Sequence, residues 1–223
     1  MNNWIDYWGN ETQFVCDHHK HLSYEAIYRD LQGYLNLSDK ILDFGCGDAL
    51  FAEKLSEQCA NLYLYDVSQP IQDKLKERFK VDNIHIINDY KKAENLSLII
   101  ISSVSQYIYQ EDFLNILRDL RSSLSQNGKI IISDLIPDKN SILIESLDLL
   151  KISIKNGFLC RAIIKMILSL MGNYGKIRRL FPLTKYNLKS FKKTSEIMGF
   201  MFQEENINLG LNANRKTVVL TKI

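Results

Sequence analysis

The sequence predicts an α/β fold: a mostly parallel sheet with helices packed on both faces. Three observations carry this. Apolar runs of strand length alternate with helical patterns from residue 40 to about residue 136, with no hairpin signal between them. The first apolar run ends in an acid and two glycines, D-F-G-C-G at 43–47, and then gives way to a helical pattern. That order describes a buried strand, a tight turn and a helix start. The chain closes on two strand-like runs, 200–208 and 216–223, whose short link G-L-N-A-N favours an antiparallel pair.

The 223 residues are expected to form one domain, 1–223, large enough for a substantial core. Hydrophobic residues make up 46% and charged residues 24%, as in a soluble globular protein. A formal net charge of +2 gives no basic footprint for nucleic acid. Cys16, Cys46, Cys59 and Cys160 show neither disulfide nor zinc spacing, so free thiols in a reducing cytoplasm are expected. The first residues show no basic segment leading into an apolar run, so no secretory signal is visible.

In chain order, 1–38 is an entry segment carrying Trp4, Tyr7, Trp8 and Phe14, then C-D-H-H-K-H, then helical spacing over 24–34. Strand one ends at Asp43, and Gly45 and Gly47 allow a backbone that other residues avoid. A helix over 49–58 should bury Leu50, Phe51 and Leu55. Strand two, 61–68, carries Asp66 near its end, roughly twenty residues past the glycine turn, where a carboxylate can accept from two ribose hydroxyls. Pro70 suits the first turn of the next helix. Strand three, 81–87, leads to Asp89 and Tyr90; Asp89 is either an adenine contact or a turn residue. Strand four, 95–101, ends in S-S-V-S-Q-Y-I, and an amphipathic helix over 111–124 leads through an N-G turn into strand five. Ligands of such sheets lie beyond the carboxyl ends of the strands, where Asp43, Asp66, Asp89, Ser102 and Asp134 would gather.

A dinucleotide site would want glycine at position 50, which is leucine, and would not want an acid at the strand end. A cofactor with a cationic amine fits the turn better. The run K-I-L-D-F-G-C-G-D-A-L resembles the first motif of class I S-adenosylmethionine (SAM) methyltransferases, roughly D-x-G-x-G-x-G. Asp43, Gly45 and Gly47 match, and Ala49 stands where the family often has its third glycine. The run S-S-V-S-Q-Y-I with the later N-G-K-I-I-I-S-D-L-I-P resembles the region after the fourth strand of small-molecule methyltransferases, commonly N-S-V-x-Q-Y and then G-G-x-x-x-x-D. Ser102 replaces the asparagine and Asn127 the first glycine. The likeness covers about 40–137 and resumes at the C-terminus.

The resemblance implies a Rossmann-like seven-stranded sheet with the last strand inserted between its neighbours. It implies SAM as cofactor and S-adenosylhomocysteine as product. It also implies methyl transfer to oxygen or nitrogen of a small, partly apolar biosynthetic intermediate; the alternative is a non-catalytic SAM-binding regulatory protein. The implied cofactor-binding residues are Asp43, Gly45, Cys46, Gly47, Asp66, Val67, Asp89, Tyr90 and Ser102, the last through its main-chain carbonyl. Cys46 reads as a small loop residue, although a helix N-terminus there would lower its pKa.

Methyl transfer from a sulfonium needs donor and acceptor held close, in line and dry. A base is needed only if the acceptor must lose a proton, and His18 and His19 are the candidates. His21 reads as solvated, His85 as structural. The histidine run lacks a metal-ligand spacing, so no metal is expected. Tyr7, Trp8 and Tyr107 could place a ring face on the sulfonium. The 1–38 segment is expected to cover the site, and 138–185 to form a helical lid after strand five. Its helices, one apolar almost all round, offer two alternatives to a lid: a homodimer contact, or an interfacial surface on anionic lipid.

Overall fold

The computed structural model describes Trp4 and residues 14–223, without the side chains of Leu170, Met171 and Asn173. Tyr7 and Trp8 lie outside the described residues. The strands are β1 Lys40–Phe44, β2 Asn61–Tyr65, β3 Ile84–Ile87, β4 Leu96–Ser102, β5 Leu124–Leu135, β6 Phe200–Glu204 and β7 Lys216–Lys222. They form one seven-stranded sheet in the order β3-β2-β1-β4-β5-β7-β6. β1 to β5 pair in parallel, and β7 runs antiparallel between β5 and β6, as the C-terminal pattern predicts.

The described helices are α1 Asp17–Leu31, α2 Ala52–Ser56, α3 Gln69–Arg78, α4 Gln110–Ser123, α5 Ile142–Lys155, α6 Leu159–Met171, α7 Asn173–Leu180 and α8 Leu188–Ile197. The sheet's two faces hold separate cores. Leu42, Ile99, Ile101, Ile130 and Ile132 pack with Phe113 and Leu117 of α4 and Phe191 of α8. Ile41, Leu62, Leu64, Leu98 and Ile100 pack on the other side with Leu31 of α1, Leu55 of α2 and Leu75 of α3. Strands buried on both faces read as near-continuous apolar runs, which is why 98–101 is apolar at every position. A register shift between Leu96 and Leu98 puts Leu96 on the same face as Ile99. At the shift, Ser97 Oγ accepts from Lys40 N (3.0 Å) and donates to Asp39 Oδ1 (2.7 Å).

Several element boundaries differ from expectation: β2 ends at Tyr65 rather than 68, leaving Asp66 just past the strand, β3 begins at Ile84 rather than 81, and β5 begins at Leu124, so that the expected N-G turn lies inside it with Asn127 at φ +61°. Two further differences have local reasons. The helix expected over 49–58 is only Ala52–Ser56, and of its three expected apolar contacts only Leu55 is fully buried; Leu50 and Phe51 are half-buried. Ala49 has φ +43°, left-handed backbone, so no helix can start there. The family's third glycine would fall at this position, and the backbone still takes the glycine conformation. β6 ends at Glu204 rather than 208, because Asn208 leaves the strand to hold Asp134. Its Oδ1 accepts from Asp134 N (3.1 Å), and its Nδ2 donates to Asp134 Oδ1 (2.7 Å). The link to β7 is therefore an eleven-residue loop, 205–215, not a tight turn.

Replacing Ala49 by glycine should stabilise the protein by about 0.5–1 kcal/mol, the relieved left-handed strain exceeding the extra unfolded-state entropy. Urea denaturation measures it; a destabilised Ala49→Gly protein contradicts the strain.

Candidate active site

The strand order reverses at β1, whose neighbours are β2 and β4, and a cleft opens beyond the carboxyl ends there. A cavity of about 960 Å³ occupies it. Its floor is the glycine turn with Asp66, Val67 and Ser68, and Ser102 to Val104 and Asp134 continue the wall. α1 supplies His19, Lys20 and Tyr24 from one side, and the insertion supplies Glu145, Leu149, Ile152 and Tyr174 from the other. Both expected covering segments thus contribute to the wall.

The glycine turn is built by backbone constraint. Gly45 (φ +75°) lies against Val104, so that a Cβ at 45 would collide with the Val104 side chain. Gly47 (φ +55°) leaves only 2.8 Å between an added Cβ and the Tyr24 hydroxyl. Tyr24 Oη donates to Cys46 O (3.2 Å) and accepts from Asp48 N (3.0 Å). Gly45 N and Cys46 N both donate to Tyr65 O, at 2.7 and 3.1 Å, which ties the turn to β2. Outside the turn, Lys20 Nζ pairs with Asp48 at 2.6 Å.

Two carboxylates sit inside this frame. Asp66 Oδ2 accepts from Gly47 N (3.1 Å) and Oδ1 from Ser68 N (2.9 Å), leaving each oxygen a further lone pair. Its pKa is raised by burial, against which the two backbone donors work. Asp43 has no hydrogen-bond donor and no cationic partner among the described residues. Burial first, and the nearby Asp66 charge second, push its carboxyl up to about 7. Two acids, Asp66 buried and Asp43 half-buried against the cavity, share a corner with no cation among the described residues; that suits an ammonium and a diol and repels a pyrophosphate.

The other predicted site residues divide. Cys46 is buried in the turn, and α2 starts too far on to act on it. Burial and the charges of Asp43 and Asp66 push its thiol well above its ordinary pKa, so the lowering that a helix N-terminus could give does not occur and Cys46 is a small residue of the loop. Val67 is 54% exposed at the cavity rim, and Tyr90 lines the wall, its ring against Phe44 and its hydroxyl donating to Asp119 (3.0 Å). Asp89 is exposed, caps the short 3-10 turn Tyr90–Lys92 by accepting from Lys91 N (3.0 Å), and is not part of the wall. Ser102 lines the wall and its Oγ accepts from Ser133 Oγ (2.8 Å). Ser103, in left-handed backbone, hydrogen-bonds the Asp134 carboxylate.

Of the histidines, His19 faces the cavity and His18 does not. His18 is exposed, edge-on to Phe158. His19 stacks on Phe158 (5.2 Å), and its Nδ1 accepts from Val15 N (3.2 Å). Burial, helped by His18, lowers its pKa to about 4, so the ring is neutral with its proton on Nε2. In this arrangement His19 presents a donor, not a vacant base, to anything beyond Nε2. His85 bonds Asn61 Oδ1 (2.9 Å) within the sheet.

Tyr24, Val104 and Arg215 were invisible as site residues. Tyr24 carries only helical spacing in the sequence, and Arg215 lies in the apparent C-terminal turn. In the structure Arg215 donates to Asp134 O (3.2 Å) and to Glu145 (3.1 Å), joining the sheet to the insertion at the cavity wall. The apolar part of the wall includes Trp4, Phe14, Tyr107, Leu149 and Ile152, with the Trp4 and Tyr107 rings 5.0 Å apart. Among the described residues no cluster of ligating side chains could hold a metal ion.

A family model described as a methyltransferase domain matches residues 16–175, more than half the chain. No curated protein matches. Among solved structures, the chain resembles magnesium protoporphyrin IX methyltransferase (ChlM) from Synechocystis PCC 6803 with bound SAM. The TM-score is 0.61 at 11% identity, over 96% of this chain and 86% of the other. It also resembles the N-methyltransferase NodS from Bradyrhizobium japonicum WM9 in complex with S-adenosylhomocysteine. There the TM-score is 0.55 at 14% identity, over 92% and 86%.

The acid corner has a linkage consequence. A carboxyl at about 7 when folded and about 3.9 when unfolded binds extra proton in the folded state between those values. Its contribution to stability is present below about pH 4 and is lost as pH rises through about 7. In the ligand-free protein, Asp43→Asn should therefore flatten the fall in unfolding free energy over that window and gain stability at pH 8. An unchanged slope in denaturation series contradicts the assignment.

Proposed function

The chain belongs to the class I SAM-dependent methyltransferases, and from that premise we propose that it transfers the methyl group of SAM to oxygen or nitrogen of a small, partly apolar acceptor. The observation that carries the reading is Asp43: a half-buried carboxylate at the end of β1, on the cavity wall, with no partner among the described residues, beside Asp66 with lone pairs to spare. These residues fit the cofactor. Asp43 would take its amine, with the main-chain carbonyl of Ser102; Asp66 would take the ribose hydroxyls; Gly45 and Gly47 would let the cofactor lie against the backbone; Tyr90 and Val67 would flank the adenine. Asp89 joins them only if it gives up its cap on the turn.

Bound SAM supplies an electrophilic methyl on a sulfonium, whose positive charge is lost on transfer. The protein's part is to align and to exclude water. Trp4, Tyr107, Leu149 and Ile152 give an apolar and aromatic wall on which an acceptor body packs. His19 can donate from Nε2 to an oxygen of the acceptor, leaving the oxygen's second lone pair, or a neighbouring nitrogen's lone pair, free to attack the methyl; the proton the acceptor loses passes to water. His18, exposed and outside the wall, takes no part in this scheme. Of the two solved structures it resembles, one is by name a magnesium protoporphyrin IX methyltransferase, in keeping with a small acceptor, and the other an N-methyltransferase, in keeping with nitrogen as a target.

Calorimetry with SAM tests the cofactor site, and S-adenosylhomocysteine production over a panel of hydroxyl and amine acceptors tests turnover. Folded protein that does not bind SAM ends the proposal. Asp66→Ala should weaken SAM binding by about 1–3 kcal/mol, the loss of hydrogen bonds to a charged acceptor. For His19, the glutamine variant keeps a donor near Nε2 and should retain most of kcat/KM, while leucine should lose about tenfold. Equal losses from both would restore the base role expected from the sequence.

A further inference from the structure

We propose that the outer face of the helical insertion docks on an anionic phospholipid surface. Helix α5 is a wall with two apolar sides. Glu145, Leu149 and Ile152, spaced i, i+4, i+7, line the cavity. Leu143, Leu147 and Ile154 lie on the opposite side of the same helix and are 76%, 55% and 65% exposed. α6 repeats the pattern: Ala162 is buried, whereas Ile163, Ile164, Ile167 and Leu168 form one stripe, each 44–59% exposed. Such faces on successive helices far exceed the scattered apolar residues of an ordinary surface. Among the described residues no helix is long and apolar enough to cross a membrane, so these faces can lie on a bilayer but not span it.

Charge selects the occupant. Residues 138–185 hold nine Lys and Arg against three Asp and Glu, in a chain whose formal net charge is only +2. Two of those acids are turned inward. Glu145 is shared by Arg178 and Arg215 at 2.9 and 3.1 Å, and Asp148 is buried. Lys151, Lys155, Arg161, Lys176 and Arg179 are all exposed around the apolar stripes. A second copy placed on the same face by a two-fold axis would bring like charges together. A leaflet of anionic lipid complements both the apolar stripes and the cations. The inference concerns a surface outside the catalytic cleft and is independent of the acceptor's identity.

The test is co-sedimentation of the full chain with vesicles of phosphatidylcholine alone and of phosphatidylcholine with phosphatidylglycerol, beside the double variant Ile164→Glu/Ile167→Glu. SAM calorimetry on both proteins reports folding and the cofactor site separately from lipid binding. Expected are binding to the anionic vesicles at least about tenfold stronger than to the neutral ones, weakening in high salt, and loss in the double variant with SAM binding unchanged. No binding to either vesicle, or equal binding by the double variant, overturns the proposal. So does a wild-type dimer that the double variant converts to monomer, because the face would then belong to a second copy.

Discussion

Everything in the cleft depends on a carboxylate placed where the described residues give it nothing to bind. Asp43 stands at the end of β1, between β2 and β4, with its neighbours Leu42 and Phe44 committed to the core. Burial and Asp66 hold its carboxyl up to about 7, so the ligand-free protein carries an electrostatic cost at neutral pH. A cationic ligand that removes this cost gains affinity by the same amount. Carboxyls with pKa values raised this far cluster at functional sites.

The frame around that acid is specified by contacts far apart in sequence. The turn at 45–47 is clamped from α1 by Tyr24, from β2 by Tyr65 O and Asp66, and from the loop after β4 by Val104. Each clamp uses or crowds backbone, which is why glycine is required at 45 and 47. Ala49 shows the same demand met by a less suitable residue. On the far side, Asn208 and Ser103 orient Asp134, and Arg215 links it to Glu145 of the insertion. The glycine-turn side and the insertion side of the cavity are therefore joined through a few part-buried polar contacts, in which Arg215 Nε is left without a hydrogen-bond partner among the described residues.

Much of this was legible from the chain alone, for physical reasons. Parallel strands covered on both faces must be apolar throughout, and turns between strand and helix must expose glycine, so the sheet, its C-terminal antiparallel pair and the acids at 43 and 66 could be read directly. Boundaries were less legible: a left-handed alanine at 49 shortened α2, and a side-chain role for Asn208 ended β6 early. The roles of Tyr24 and Arg215 leave no local trace, because a tyrosine at helical spacing and an arginine in a loop look alike whether they hold an active site or face solvent. His18 and His19 were equivalent on paper. Only the packing of Phe158 and the Val15 amide separates them.

The central claim is that the Asp43 carboxyl is held partly protonated until a cationic amine arrives. It is tested most directly by SAM titration calorimetry at about pH 6 in buffers of different ionisation enthalpy, where the amine is already charged and Asp43 is mostly not. The account predicts that binding releases a proton at that pH, that the release fades above about pH 8, and that Asp43→Asn abolishes it. Binding without proton release, or release that persists in the asparagine variant, would contradict it.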